Sequence, residues 1–321
     1  MENGTYTLST NTHHDYESMM SSQDVFDKIY FPGKTAVGFY LAFVSLFGTV
    51  GNAIVILLIY KTSTLRTPTY ILILNLSVSD LIVSCFGAPM SCTSSFVGRW
   101  LYGNIGCNIY GFINYYCGCI SLNSYAVIAI VRYLKVVRRS VGSTILKTHV
   151  VRVIYAVHVY TFIFTIPPLF GWNDFVLEGF NTQCDIAYKI KTPLYISYVS
   201  VIFIALFFIP LFIITFCYVR IVQYVSKHGT RLRKSMNRIR SRRESIGSSS
   251  KTTLMVLICI IVYLVTWLPY CIVAFWALFG DPSAISPPMS AAPALLAKAS
   301  SIFNPWIFAG LNSQFRRALK V

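Results

Sequence analysis

The sequence predicts an all-α membrane protein, a bundle of seven transmembrane helices. Three observations carry this. The 321 residues are 55% hydrophobic and only 12% charged, too few ionisable groups to cover a soluble domain of that length. Seven apolar runs, near 36–60, 70–96, 104–136, 150–171, 195–222, 251–279 and 289–311, each reach the roughly 20 residues that carry a helix across a hydrocarbon core of about 30 Å. Finally, 21 of the 27 Lys and Arg residues fall in alternate connections and the tail, with one acid, Glu244, among them.

That asymmetry sets the orientation, because an excess of Lys and Arg marks cytoplasmic segments. It implies an extracellular segment over 1–35, a seven-helix domain over 36–311 with a third cytoplasmic loop at about 223–250, and an inner tail over 312–321. The net charge of +16 is therefore a topology signal. A nucleic-acid partner is disfavoured, since that would need a soluble basic face with base-reading elements. Continuous apolar runs exclude a β-barrel, whose strands alternate. The amino-terminal 20 residues are polar and lack the apolar core of a signal peptide, so the first membrane helix is expected to insert the chain. Asn3-Gly4-Thr5 is a glycosylation sequon on the expected outer side.

Along the chain, the first inner connection, "KTSTLRTP", is short, whereas the second outer one, about 172–193, is long enough to fold back over the bundle. The third inner segment is basic and Ser-rich; its first half is expected to extend helix five and its "GSSS" part to be flexible. Ser245 and Ser248 to Ser250 there are candidate kinase substrates. Pro89, Pro167, Pro168, Pro210, Pro269, Pro293 and Pro305 fall inside apolar runs, where each removes a backbone donor and kinks or ends its helix. No internal repeat supports an inverted-repeat transporter. Of nine cysteines, most read as small buried hydrophobes, and Cys117 and Cys119, two apart, do not share a helix face as a metal site would need. Cys107 and Cys184 both fall on the outer, oxidising side, and a disulfide between them is expected, although sequence alone does not fix pairing.

The last run, "MSAAPALLAKASSIFNPWIF", holds Lys298 near its middle. At 1.5 Å per residue the lysine is roughly 13 Å or more from either interface, too far to snorkel. Such a cation costs about 2.5–3.5 kcal/mol to insert and marks a functional site facing the bundle interior. Three readings compete: a salt bridge, a proton or ion relay, and a covalent imine to a carbonyl ligand.

The motifs around it bear on the choice. Helix one carries "GTVGNAIVILL", helix two "LNLSVSDLI", helix three "AIVRYLKVV", helix five "FFIPLFIITFCY", helix six "VTWLPYCIV", and Lys298 is followed by Asn304-Pro305. Together these resemble the rhodopsin-like receptors, and the lysine-to-NP spacing, "WLPY", and "CNIYGF" at Cys107 resemble one branch, the animal opsins. The resemblance spans all seven helices. It implies the rhodopsin-like fold with a short amphipathic eighth helix in "NSQFRRALKV", Arg316 and Arg317 facing lipid headgroups. It also implies retinal bound to Lys298 as a Schiff base, 11-cis in the dark and all-trans after light. A heterotrimeric G protein is the implied partner, with arrestin and a receptor kinase as further ones.

A buried protonated imine needs an anion. Vertebrate visual pigments supply a glutamate three residues after the disulfide cysteine; here that residue is Tyr110. The resemblance points to Glu178, six residues before Cys184, as counterion, with Asp185 the runner-up and Asp174 weaker. Opsins of that type keep the imine protonated after illumination, so a bistable pigment is expected. The pocket implied is Tyr110, Gly111, Gly118 and Cys119 on helix three, Phe203, Leu206 and Phe207 on helix five, and Tyr263, Trp267, Tyr270 and Cys271 on helix six. Asn52, Asp80 and Asn304 match the family's polar network.

The cytoplasmic end departs from the family pattern. The acid-Arg-Tyr triplet reads Val131-Arg132-Tyr133, the helix-six acid position is Ser249, and the NPxxY tyrosine, partner of Tyr218, is Phe308. One set of losses favours the active state and the other disfavours it. A light-activated, non-enzymatic receptor is the leading expectation, with a retinal photoisomerase that signals little as the alternative. A chemosensory receptor with an incidental lysine and a light-driven pump are the remaining classes; the pump is disfavoured because helix three has no acidic proton acceptor.

Overall fold

A computed structural model describes residues 22–236 and 240–319. Seven long helices form the bundle: α1 Ser22–Lys61, α2 Pro68–Val97, α3 Gly103–Val136, α4 Lys147–Thr165, α5 from Pro193–Ile202 through to Ile209–Met236, α6 Arg240–Phe279 and α7 Pro287–Leu311. A short α8, Ser313–Ala318, follows. Between α4 and α5 lies an antiparallel hairpin, β1 Phe175–Glu178 and β2 Gln183–Ile186. Six of the helices, α1 to α6, are both long and apolar enough to cross a membrane. The 25 residues of α7 are long enough too, but Lys298, Ser300, Ser301 and Asn304 dilute their hydropathy. Asn3 lies outside the described residues.

The internal prolines act as expected of residues without an N–H, but by a specific device. Ahead of Pro89 the backbone of α2 widens into a π-helical turn over Val83–Gly87, and ahead of Pro210 α5 does the same over Phe203–Phe208. The wider turn relieves the clash between a proline ring and the carbonyl four residues earlier. Pro167 and Pro168 instead end α4, which gives way to a 3₁₀ turn over Pro167–Phe170, short of the expected limit at 171.

Two boundaries differ from the sequence expectation. Helix α1 starts at Ser22, well before position 36, and passes through Pro32. Its outer part is tied down by tertiary contacts: Lys34 is buried and donates to the Gly98 carbonyl at 2.7 Å, and Tyr30 packs 5.6 Å from the Phe180 ring. The third inner segment, expected to include a flexible stretch, is helical up to Met236 and again from Arg240. It is rich in helix-forming Arg and contains no proline, so isolated glycines are not enough to stop either helix. The side chains of Ser245 and Ser249 lie outside the described residues.

Two larger apolar clusters and two small ones fill the bundle among the described residues. One of the larger two, toward the α8 end, joins Val55, Leu76, Tyr125, Met255, Phe308 and Phe315. The other, beneath the hairpin, joins Phe175, Ile186, Tyr198, Phe203 and Ala274. Helix α8 is capped by Asn312, whose side-chain oxygen accepts from the backbone N–H groups of Gln314 and Phe315 at 3.0 and 3.3 Å. Phe315 anchors it against Phe308, ring centroids 6.4 Å apart, leaving Arg316 and Arg317 exposed.

Candidate functional site

The site begins with the hairpin. Its turn uses left-handed backbone at Gly179 and Asn181, φ 65° and 59°, residue types that tolerate it. The register pairs Val176 with Asp185, Leu177 with Cys184 and Glu178 with Gln183. Alternation along a strand therefore puts Val176, Glu178, Gln183 and Asp185 on one face, and Phe175, Leu177, Cys184 and Ile186 on the other. Cys184 forms a disulfide with Cys107, Cα atoms 5.5 Å apart, stapling β2 to the start of α3. Gly111 allows β1 to lie directly on α3, since a Cβ there would come within 2.4 Å of the Phe175 ring. Ser91 and Ser95 of α2 hold Thr182 at the turn through bonds of 3.0 and 3.1 Å.

Lys298 reaches up from α7 to this hairpin. Its ammonium donates to Gln183 Oε1 at 3.0 Å and lies 5.8 Å from the centre of the Tyr110 ring. The Tyr110 hydroxyl is buried and has no hydrogen-bond partner among the described residues. Glu178 is buried on the same hairpin face; its Oε2 accepts from Lys189 at 2.8 Å, and from the Tyr188 hydroxyl and Gly179 N–H, both at 3.3 Å. Asp185 faces the interior beside Tyr270. Burial pushes its carboxyl up to about 6, while the positive charge of Lys298 acts in the opposite direction. Asp174 is at the rim, bonded to the Tyr195 hydroxyl.

Two adjoining cavities share the walls made by Tyr115, Gly118, Tyr263, Trp267 and Tyr270. The first, about 650 Å³, is lined by Gly111, Gly118, Cys184, Asp185, Tyr263, Trp267, Tyr270 and Lys298, and extends down to Asp80. The second, about 550 Å³, is almost wholly apolar and is lined by Gly118, Cys119, Phe203, Leu206, Phe207, Trp267, Tyr270 and Cys271. Trp267 and Gly118 belong to both. Trp267 stacks on Tyr263 with centroids 5.4 Å apart, and its indole N–H points to Ser300 Oγ at 3.4 Å. The Tyr263 hydroxyl donates to the Gly118 carbonyl at 2.8 Å. Chemically this is a largely apolar, aromatic space with a primary amine and the Asp185 carboxylate in its wall. Gln183 and Tyr115, which also line or close it, were not singled out by sequence reasoning; strand alternation counted back from Asp185 is the signal that picks out Gln183.

The chain matches the family described as "7 transmembrane receptor (rhodopsin family)" over residues 51–308. It is 36% identical over 294 residues to a scallop (Mizuhopecten yessoensis) protein named "Rhodopsin, GQ-coupled", covering 88% of this chain and 58% of the relative. To the human "Visual pigment-like receptor peropsin" it is 32% identical, covering 88% of this chain and 82% of that one. The crystal structure of squid rhodopsin superimposes with a TM-score of 0.85 at 30% identity, covering 92% of this chain and 85% of the squid chain. The chain is an animal opsin. It spans about three-fifths of the length of the scallop relative.

In this opsin the polar network begins at the floor of the first cavity, where Asp80 and Ser121 line it. Asp80 accepts from Asn304 Nδ2 at 2.7 Å and from Ser121 Oγ at 3.3 Å, and the Tyr125 hydroxyl donates to Asn304 Oδ1 at 2.7 Å. Asn52 is not bonded to Asp80; it ties α1 to α7 by donating to the Ser301 carbonyl at 2.8 Å. Pro305 follows in α7, against Gly51. At the inner end Arg132 is buried next to the equally buried Val131, and its Nε has no hydrogen-bond partner among the described residues. Tyr133 packs near Phe216 at 6.1 Å, and the Tyr218 hydroxyl reaches the Thr253 carbonyl at 3.5 Å.

Proposed function

We propose that this opsin is a light-sensing receptor that holds retinal covalently through Lys298 and acts on a heterotrimeric G protein. The observation that carries the reading is the location of one amine. Lys298 lines a largely apolar cavity together with Asp185, under a disulfide-fixed hairpin, and that cavity shares Trp267 and Tyr270 with a second, almost wholly apolar one. An elongated polyene with one reactive polar end fits that division of chemistry. When bound, retinal supplies a bond that light isomerises, from 11-cis to all-trans.

The chain's own residues do the rest. Lys298 anchors, Gln183 orients its amine, and the hairpin shields it from water. Phe203, Leu206, Phe207 and Cys271 surround the apolar end. Trp267, shared by both chambers, is the side chain whose displacement would be felt by α6. The anion comes from the second outer loop, and we assign a bistable pigment on that basis. Arg132, at the inner end, faces the G protein once α6 moves.

One observation favours a second reading, a retinal photoisomerase with little signalling: Val131 and Phe308 stand where the family carries an acid and a tyrosine. The human peropsin relative is named as a "visual pigment-like receptor", which does not separate the two. The deciding experiment is expression with 11-cis retinal, spectra in the dark and after illumination, and borohydride reduction followed by peptide mapping. A visible band and a label on Lys298 are expected; no band and no label would refute the reading. Light-dependent nucleotide exchange on purified G proteins distinguishes the receptor from the photoisomerase.

A further inference from the structure

We infer that Asp185, rather than Glu178, is the anion that balances the positive charge at Lys298; this rests on the reading of Lys298 as the ligand anchor. A cation enclosed in a low-dielectric interior is stable only beside a compensating charge, so the question is which carboxylate is free to serve.

Glu178 is committed elsewhere. Its carboxylate is in a salt bridge with Lys189 at 2.8 Å and also takes the Tyr188 hydroxyl and the Gly179 N–H. A carboxylate paired with an ammonium at that distance presents a dipole to the rest of the site, and a dipole balances a third charge poorly. Asp80, at the floor of the cavity, is occupied by Asn304 and Ser121. Asp174 is at the rim with Tyr195.

Asp185 differs on each count. Its side chain lines the same cavity as Lys298. It lies two residues from Gln183 on the same strand face, and Gln183 is the residue that holds the Lys298 ammonium at 3.0 Å. The Ile186 N–H donates to its Oδ1 at 2.8 Å and Tyr270 flanks it. The cation whose charge bears on it is Lys298. The amide of Gln183 thus stands between two acids, one neutralised by Lys189 and one not.

The test compares Asp185→Asn with Glu178→Gln in the full chain, using two readouts. In the ligand-free protein, thermal melting of a double-mutant cycle with Lys298→Met reads the coupling of the lysine to each acid. The change in melting temperature on Asp185→Asn is expected to differ between the wild-type and Lys298→Met backgrounds, and that on Glu178→Gln to be the same in both. After addition of 11-cis retinal, Glu178→Gln is expected to keep a visible dark band at pH 7, while Asp185→Asn moves it to the near ultraviolet. An ultraviolet band in Glu178→Gln, or the absence of coupling between Asp185 and Lys298, overturns the proposal. If Asp185→Asn does not fold, Glu178→Gln decides alone by the same criterion. A wild-type chain that forms no pigment refutes the retinal reading, and the ligand-free cycle still tests Asp185.

Discussion

Trp267 of α6 rests on the bare Cα of Gly118 in α3: a methyl group built there would come within 2.5 Å of the indole Cη2. The same indole borders both internal cavities and stacks on Tyr263. Contact this tight cannot be relieved by a small adjustment of a flexible end, because the ring is rigid. Gly118→Ala should therefore push Trp267 into the cavity. Expected results are a changed near-ultraviolet circular dichroism of the ligand-free protein and a pigment yield several-fold lower than wild type. Overpacking of this kind typically costs about 1–3 kcal/mol.

The Cys107–Cys184 bond closes a loop with a sequence separation of 77. Removing it by Cys184→Ala restores loop-closure entropy to the unfolded chain, about 4 kcal/mol for a loop of this size. It also frees β2, which carries Gln183 and Asp185. Thermal melting in detergent should fall by many degrees, and the variant should lose pigment formation even at temperatures where it remains folded. Retention of full pigment yield would show that the hairpin is held by its other contacts.

Asp185 makes the stability of the ligand-free protein pH-dependent. Its carboxyl is pushed up to about 6 by burial, above the ordinary value near 3.9 of an unfolded aspartate. Between those values the folded state binds the proton more firmly than the unfolded chain. The contribution is full below about pH 4 and is lost as pH rises through about 6, amounting to about 3 kcal/mol. The difference in melting temperature between wild type and Asp185→Asn, followed from pH 4 to pH 7, should shift against the wild type over that window.

At the cytoplasmic end, Val131→Glu would place a carboxylate beside the buried, under-bonded Arg132. An ion pair there contributes on the order of 1 kcal/mol to the resting state. Nucleotide exchange by a G protein in the absence of retinal should fall roughly fivefold. An unchanged rate would mean that Arg132 does not limit the resting equilibrium.

The parts of this protein that were legible in its sequence are those written in local chemistry. Seven apolar runs, their flanking charges, two outer-side cysteines and an intramembrane lysine each state their environment within a few residues. So do Pro89 and Pro210, although the π-helical turns that accommodate them depend on the register of the surrounding helix. The pairing of Glu178 with Lys189 was not legible, because the two are separated by the whole hairpin and meet only once its register is set. Gln183 could be placed on the face of Asp185 by strand alternation, but its contact with Lys298 depends on how the hairpin is set against α7. The first run, expected from about 36, is helical from Ser22, since contacts of Lys34 and Tyr30 hold the outer turns and one missing backbone bond at Pro32 does not end them.

The hairpin has a further consequence for supply. Fixed to α3 by sulfur and to α2 by Ser91 and Ser95, it covers one end of the chamber, so on the proposed reading an oil-soluble guest would enter from the bilayer, between helices. The rate at which the empty protein refills would then be governed by the amount of guest dissolved in the surrounding lipid, and the membrane would serve as its reservoir.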